Sequence, residues 1–133
     1  MIQPAERNHD ERKTILTAVD RLMPGVVGNP YIPHWPHPPQ AKLLGLHLQY
    51  PSNKVFQALY GGAAGGGKSD ALLMAAAQYA WKFPDFAAII FRRTYTELSR
   101  PGAIMDRALN WWKTMGVPWN SQTKTFTFPG GGK

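Results

Sequence analysis

The sequence predicts an α/β fold in which a mostly parallel sheet is sandwiched between helices. Three features lead to this prediction: two short apolar runs, 55–60 and 86–91, a glycine-rich turn after the first run, and a helix-compatible stretch between them. A continuous apolar run is typical of a strand that is buried on both faces. A strand, a helix and a second strand in this order form a crossover unit whose strands are parallel.

The glycine-rich turn has the sequence Gly-Gly-Ala-Ala-Gly-Gly-Gly-Lys-Ser over residues 61–69. From Gly62 onward it fits G-x-x-x-x-G-K-[ST], the pattern of a phosphate-binding loop. Glycine reaches the positive φ values that turn successive N–H groups toward one anion, and a helix N-terminus adds further unpaired N–H groups. The predicted fold class is therefore that of a P-loop NTPase.

The motif predicts a site for ATP and Mg²⁺. The predicted cofactor-binding residues from the loop are Gly62, Ala63, Ala64, Gly65, Gly66, Gly67, Lys68, Ser69 and Asp70. Lys68 would reach the β and γ phosphates as a catalytic residue, and the Ser69 hydroxyl would ligate Mg²⁺. The alternative is a glycine-rich turn that binds nothing.

Composition narrows the class of protein. The 133 residues, 44% of them hydrophobic, suffice for one small folded domain. No apolar run is long enough for a transmembrane helix, and the polar N-terminus is not a signal peptide. The absence of cysteine excludes disulfides, thiolate metal sites and a cysteine nucleophile. The net charge of +7 favours contact with phosphates, although a generally basic surface explains scattered lysines and arginines equally well.

The remaining elements follow from periodicity and from the positions of proline and glycine. An N-terminal unit, 1–38, contains a helix and a proline-rich connector, which Tyr31 and Trp35 are expected to anchor on the core. A partial P-loop ATPase domain, 39–133, follows. The predicted helices are 11–23, 40–50, 70–81 and 103–115, with a loop or helical turn over 94–101 and a half-exposed antiparallel strand over 124–128.

One part of a P-loop hydrolase is not found in the sequence. Such an enzyme needs an apolar strand that ends in acidic residues, which hold the Mg²⁺ shell and polarise the attacking water. The run 86–91 ends instead in Arg92 and Arg93, and Asp106 lies within a helical pattern. We therefore expect a chain truncated before this acidic (Walker B) strand, with Met1 a genuine start and Lys133 an artificial or mutational end.

Several segments resemble one family. Residues 58–74 are similar to the ATP-binding segment of tailed-phage terminase large subunits, the motors that package DNA. Residues 90–98, Ile-Phe-Arg-Arg-Thr-Tyr-Thr-Glu-Leu, followed by Ser-Arg-Pro-Gly, resemble the next stretch of that family, and 119–131 resemble its aromatic strand and turn. Pro39-Gln40 resembles the family's adenine-reading glutamine. The resemblance covers about 39–133.

The resemblance implies the ATPase part of a motor that uses ATP to package double-stranded DNA into procapsids. It implies that Gln40 hydrogen-bonds the adenine edge and that Arg92 or Arg93 senses the γ-phosphate or contacts DNA. For the arginines, pairing with nearby acids is the alternative; for Gln40, it is a polar residue at a helix start. Because no nuclease domain and no acidic strand are present, we expect weak ATPase activity or none.

The family also implies partners and a location. The partners would be double-stranded DNA, the portal and the small terminase subunit, with a homo-oligomeric ring in the full-length protein and no membrane. The location would be the bacterial host cytoplasm at the procapsid portal, or the bacterial cytoplasm for a prophage-encoded protein. Three other functions remain open: a different P-loop enzyme such as a helicase-like translocase or small kinase, a truncated nucleotide- or DNA-binding module without turnover, and a purely structural domain.

Overall fold

The computed structural model describes residues 25–46, 57–65 and 67–133. The predicted helix 11–23, part of the predicted helix 40–50 and the first two residues of the predicted strand 55–60 lie outside the described residues. The described elements are α1 (Pro38–Leu44), α2 (Lys68–Lys82), α3 (Tyr95–Ser99), α4 (Ile104–Ala108), a π-helix (Leu109–Lys113) that continues α4, β1 (Trp119–Asn120) and β2 (Thr125–Phe126).

Helix α2 is the predicted helix after the glycine-rich turn. Alanine, leucine and methionine, which favour helices, fill most of it. It ends at Lys82 because Pro84 disfavours a helical conformation for the residue before it. One side of the helix is buried, whereas Leu72 is 43% exposed.

The core forms where α2 packs against α4, the π-helix and the hairpin. Trp112 lies at its centre, with its ring edge-on to Phe126 and Phe128 at centroid distances of 5.1 Å. The buried members of this cluster are Leu73, Ala77, Ala80, Ile104, Ala108, Trp112, Val117, Phe126 and Phe128. A second cluster, Val26, Leu44 and Met74, packs α1 and the connector on α2. The predicted helix over 103–115 is confirmed as α4 and its π-helical continuation.

The proline-rich connector is irregular from Gly25 to His37, as predicted. Tyr31 anchors it, because its ring packs edge-on to Phe128 and its carbonyl accepts a 3.0 Å hydrogen bond from Trp112 Nε1. The same prediction was wrong for Trp35, which is 55% exposed. In helix α1, Gly45 follows the last helical residue, so the helix ends earlier than predicted.

The parallel sheet predicted from the sequence is not present in the part of the chain that the structure describes. The sheet found there is a two-stranded antiparallel hairpin, with Trp119 opposite Phe126 and Asn120 opposite Thr125. Residues 57–60 and 86–91, the described parts of the predicted strands, have no regular secondary structure. The predicted P-loop NTPase fold, with a mostly parallel sheet sandwiched by helices, was therefore wrong.

The reason is that an apolar run indicates burial, whereas a strand also requires a hydrogen-bonded neighbour along its length. Within the described ranges, Lys133 is the one residue distant in sequence whose backbone forms hydrogen bonds with the backbone of segment 86–91. Ala88 N donates to Lys133 O at 2.8 Å, and Lys133 N donates to Phe86 O at 2.9 Å. The segment is not buried on both faces either, since Ile89 is 73% and Phe91 82% exposed.

Two shorter predictions hold. The segment 94–101 contains helix α3, whose first turn is capped by the Thr94 hydroxyl accepting from Glu97 N at 3.2 Å. The predicted strand 124–128 is present as β2, although it is only two residues long.

As for membranes, none of the helices in the described ranges has the length and apolar character needed to cross a bilayer.

Candidate phosphate-binding loop

The backbone of the loop has the left-handed conformation at three glycines. The φ angles are 142° at Gly62, 81° at Gly65 and 71° at Gly67. At Gly62 and Gly65 no atom lies within 4 Å of where a Cβ would be, so backbone conformation and not crowding explains glycine there. Residues 61–65 are exposed to solvent. The predicted site residue Gly66 lies outside the described residues.

The loop leads directly into the N-terminus of α2, as the motif predicts. Lys68, Ser69 and Asp70 are the first three residues of this 15-residue helix. Gly67 precedes them and provides no capping side chain, and its carbonyl accepts the first helical bond from Ala71 N at 2.9 Å. The first N–H groups of a helix have no intrahelical acceptor, and the helix dipole adds partial positive charge. An anion at this end of α2 is therefore favoured.

The side chain of Lys68 turns back over the loop. Its Nζ donates to Gly62 O at 2.8 Å and also to Ala63 O. The ammonium group of Lys68 therefore lies beside the loop, bonded to two of its carbonyl oxygens. A bound phosphate would compete with these two carbonyl oxygens for the ammonium group.

Gln40 lies next to the loop, 27 residues away from it in sequence. Its Nε2 donates to Gly67 O at 2.9 Å, and its Oε1 accepts from His37 N at 2.8 Å. The residue is 1% exposed. The structure therefore brings the predicted adenine-reading residue to the phosphate loop, with both polar ends of its amide bonded to backbone.

Asp70 forms an ion pair with Arg107 and lies close to His34, and the sequence indicated neither contact. Its Oδ1 lies 2.7 Å from Arg107 Nη1, and its Oδ2 lies 3.4 Å from His34 Nε2. The His34 ring packs edge-on to Trp111 at a centroid distance of 5.7 Å. Because Arg107 and His34 come from distant parts of the chain, no local sequence signal could have found them.

Arg92 and Arg93 follow the segment 86–91 and are both exposed. Neither forms an ion pair with a carboxylate among the described residues. No hydrogen bond between described residues joins either of them to the loop. Lys124 is also exposed, and its Nζ lies 5.9 Å from the ring centre of Tyr95, which is 56% exposed.

The residues of the loop fit a triphosphate by their chemistry: glycines at positive φ, a lysine beside the loop and a free helix N-terminus. For Mg²⁺, the Ser69 hydroxyl is the fitting protein ligand, since Mg²⁺ in such sites is held by few protein oxygens and by the phosphates. No cluster of three or more histidine, aspartate or glutamate side chains able to hold a metal occurs within the described ranges.

A cavity of 490 Å³ lies between α2, the segment 86–91, α4 and the hairpin. Apolar side chains line most of it, among them Leu73, Ile90, Ile104, Trp112 and Phe126. It includes no residue of the phosphate loop. The cavity and the loop are therefore separate features of the molecule.

A scan against models of protein families finds no match for this chain. Searches of curated proteins and of solved structures likewise return no significant match. The resemblance to terminase large subunits accordingly remains a prediction from the residues that carry it.

Proposed function

We propose that the loop 62–69 binds the triphosphate of ATP, and that the chain is the ATP-binding part of a terminase large subunit that drives DNA packaging. The observation that supports binding is the geometry of the loop: three glycines at positive φ, a lysine folded over them and a helix that begins at that lysine. The motif and the family resemblance support the motor function. The described residues before the loop, 57–60, form no strand, so the proposal rests on the loop and the helix without the strand that this motif usually follows.

Each residue has a chemical role in this proposal. The amides at the start of α2 and the ammonium group of Lys68 bind phosphate oxygens. The Ser69 hydroxyl ligates Mg²⁺, which would neutralise charge on the β and γ phosphates. Arg92 and Arg93 are exposed and available to a γ-phosphate or to the backbone of double-stranded DNA. The portal, the small terminase subunit, the oligomeric ring and the location at the procapsid belong to the proposal through the family alone.

A second candidate function, nucleotide binding without turnover, is favoured by one observation. Asp70 is the described carboxylate nearest the loop in sequence, and its two oxygens are paired with Arg107 and His34. A carboxylate held in this way is a poor base for activating water. Steady-state release of phosphate from MgATP separates the two functions: turnover that Lys68→Ala abolishes supports the motor, and binding without release supports the second candidate.

Calorimetric titration with MgATP tests the proposal directly. Lys68→Ala should weaken binding at least tenfold, because it removes the cation that contacts two phosphates; tenfold corresponds to about 1.4 kcal/mol. Lys82→Ala is the matched control, since it removes an exposed lysine from the opposite end of the same helix. A wild-type protein that shows no heat of binding and no thermal stabilisation with MgATP would refute the proposal.

A further inference from the structure

Gln40 connects helix α1 to the phosphate loop, and we propose that it is a positioning residue for that loop. In this proposal, which rests on the proposed function, Gln40 acts on the phosphates of any nucleotide through Gly67. Reading of the adenine base by the same side chain is the competing role. The two roles predict different ligand dependence, so they can be separated.

Both the oxygen and the nitrogen of the Gln40 side-chain amide form hydrogen bonds with backbone groups. The residue is buried to 1% exposure, with Oε1 accepting from His37 N and Nε2 donating to Gly67 O. Turning this amide toward a base would break at least one of these two bonds, and a new bond to the base would have to replace it. The bond to the loop is therefore the favoured state of this side chain.

The bond from Gln40 fixes the direction of one peptide group. Gly67 O accepts from both Gln40 Nε2 and Ala71 N, so the plane of the 67–68 peptide is held by two donors. In a trans peptide the N–H points away from the carbonyl of the same group. Holding Gly67 O toward α1 and the helix thus keeps the Lys68 N–H directed out of the helix end, where a phosphate binds.

The close approach also explains glycine at position 67. A Cβ there would lie 2.6 Å from Gln40 Nε2, and the φ of 71° disfavours any other residue. Gly67 offers no capping side chain of its own. Gln40 supplies from another helix the side-chain bond that fixes the loop at this position.

Three variants separate the possible roles. Gln40→Glu keeps the acceptor for His37 N but removes the donor to Gly67 O, so it tests the bond to the loop while preserving the start of α1. Gln40→Met has a side chain of similar length and removes both bonds without burying a charge. It replaces Gln40→Glu in the experiment if that variant does not fold. Gln122→Glu makes the same chemical change at an exposed turn and is the control.

The ligands are MgATP and inorganic tripolyphosphate with Mg²⁺, which lacks a base. We expect Gln40→Glu and Gln40→Met to weaken both ligands about fivefold, as for the loss of one net hydrogen bond, and by the same factor for each. Weaker binding of MgATP with unchanged binding of tripolyphosphate would assign Gln40 to the base and overturn the proposal. Unchanged binding of both ligands would overturn it as well.

A second measurement tests the positioning role without a nucleotide. If the wild-type protein binds no nucleotide, the proposed function has failed, but this measurement still tests whether Gln40 orders the loop. Backbone ¹⁵N relaxation of the unliganded protein reports the order of the Gly62, Gly65 and Lys68 amides. We expect the order parameters of these amides to fall in Gln40→Glu and Gln40→Met and to stay unchanged in Gln122→Glu. Equal order in all four proteins would refute the positioning role.

Discussion

Asp70 is an acidic residue at the start of a helix where the proposed function places phosphates. The helix dipole stabilises a carboxylate at this position, but the carboxylate repels a bound polyphosphate. The ion pair with Arg107 resolves this conflict, because Arg107 Nη1 lies 2.7 Å from one carboxylate oxygen. Arg107 therefore offsets the negative charge of Asp70 beside the proposed site.

This arrangement predicts that Arg107→Gln weakens MgATP binding by about two- to fivefold at low salt. The effect is modest because the side chain of Arg107 is 46% exposed, and pairs of exposed charges are screened by solvent. The double variant Asp70→Asn/Arg107→Gln should bind MgATP as well as the wild type, since the repelling charge is then absent. Calorimetry of the single and double variants measures this coupling, and a double variant as weak as Arg107→Gln would contradict it.

At the level of single residues, the sequence predicted the components of the site but not their partners. The motif predicted Lys68 and Ser69 as site residues, and helix α2 begins where the spacing of a phosphate loop requires, because that spacing is local. The bond from Gln40 to Gly67 and the pair of Arg107 with Asp70 depend on how distant helices pack. No pattern within either segment encodes such packing.

The elements show the same division between local and long-range interactions. Helix α2 was predicted because its hydrogen bonds lie within the segment, and its residue types and Pro84 determine its extent. The segment 86–91 was predicted to be a strand from its apolar run, yet a strand depends on a neighbour that the run does not specify. The hairpin formed where both partners, β1 and β2, are close in sequence.

The buried Trp112 is one of the residues that hold the connector on the core, so its replacement tests the packing of these elements. Trp112→Phe should lower the free energy of unfolding by about 1–3 kcal/mol, because the hydrogen bond to Tyr31 O is removed and the ring is smaller. Trp35→Phe is the matched control, because Trp35 is 55% exposed. Urea denaturation followed by far-UV circular dichroism measures both. Equal stability of the two variants would show that Trp112 does not hold the connector.

For the whole molecule, charge is the property that bears most on partners. The net charge of +7 supports binding to a polyanion, but charge alone does not distinguish DNA from nucleotide. Arg92 and Arg93 are exposed, as is Tyr95, whose ring centre lies 5.9 Å from Lys124 Nζ, and we propose that a nucleic acid backbone contacts the surface of these residues. This surface is independent of the loop, since no hydrogen bond or ion pair among the described residues joins them.

We therefore expect the chain to bind double-stranded DNA with an affinity that falls steeply as salt rises, because lysine and arginine displace counterions from the phosphates. Arg92→Gln/Arg93→Gln should weaken binding and lower the slope of log affinity against log salt by about 0.9 for each phosphate that the protein no longer neutralises. Lys42→Gln/Lys82→Gln removes the same charge from exposed positions elsewhere and is the control. Fluorescence anisotropy with a short duplex at several salt concentrations measures both slopes. If the two double variants weaken binding equally, the binding reflects overall charge, and the two arginines make no specific interaction with DNA.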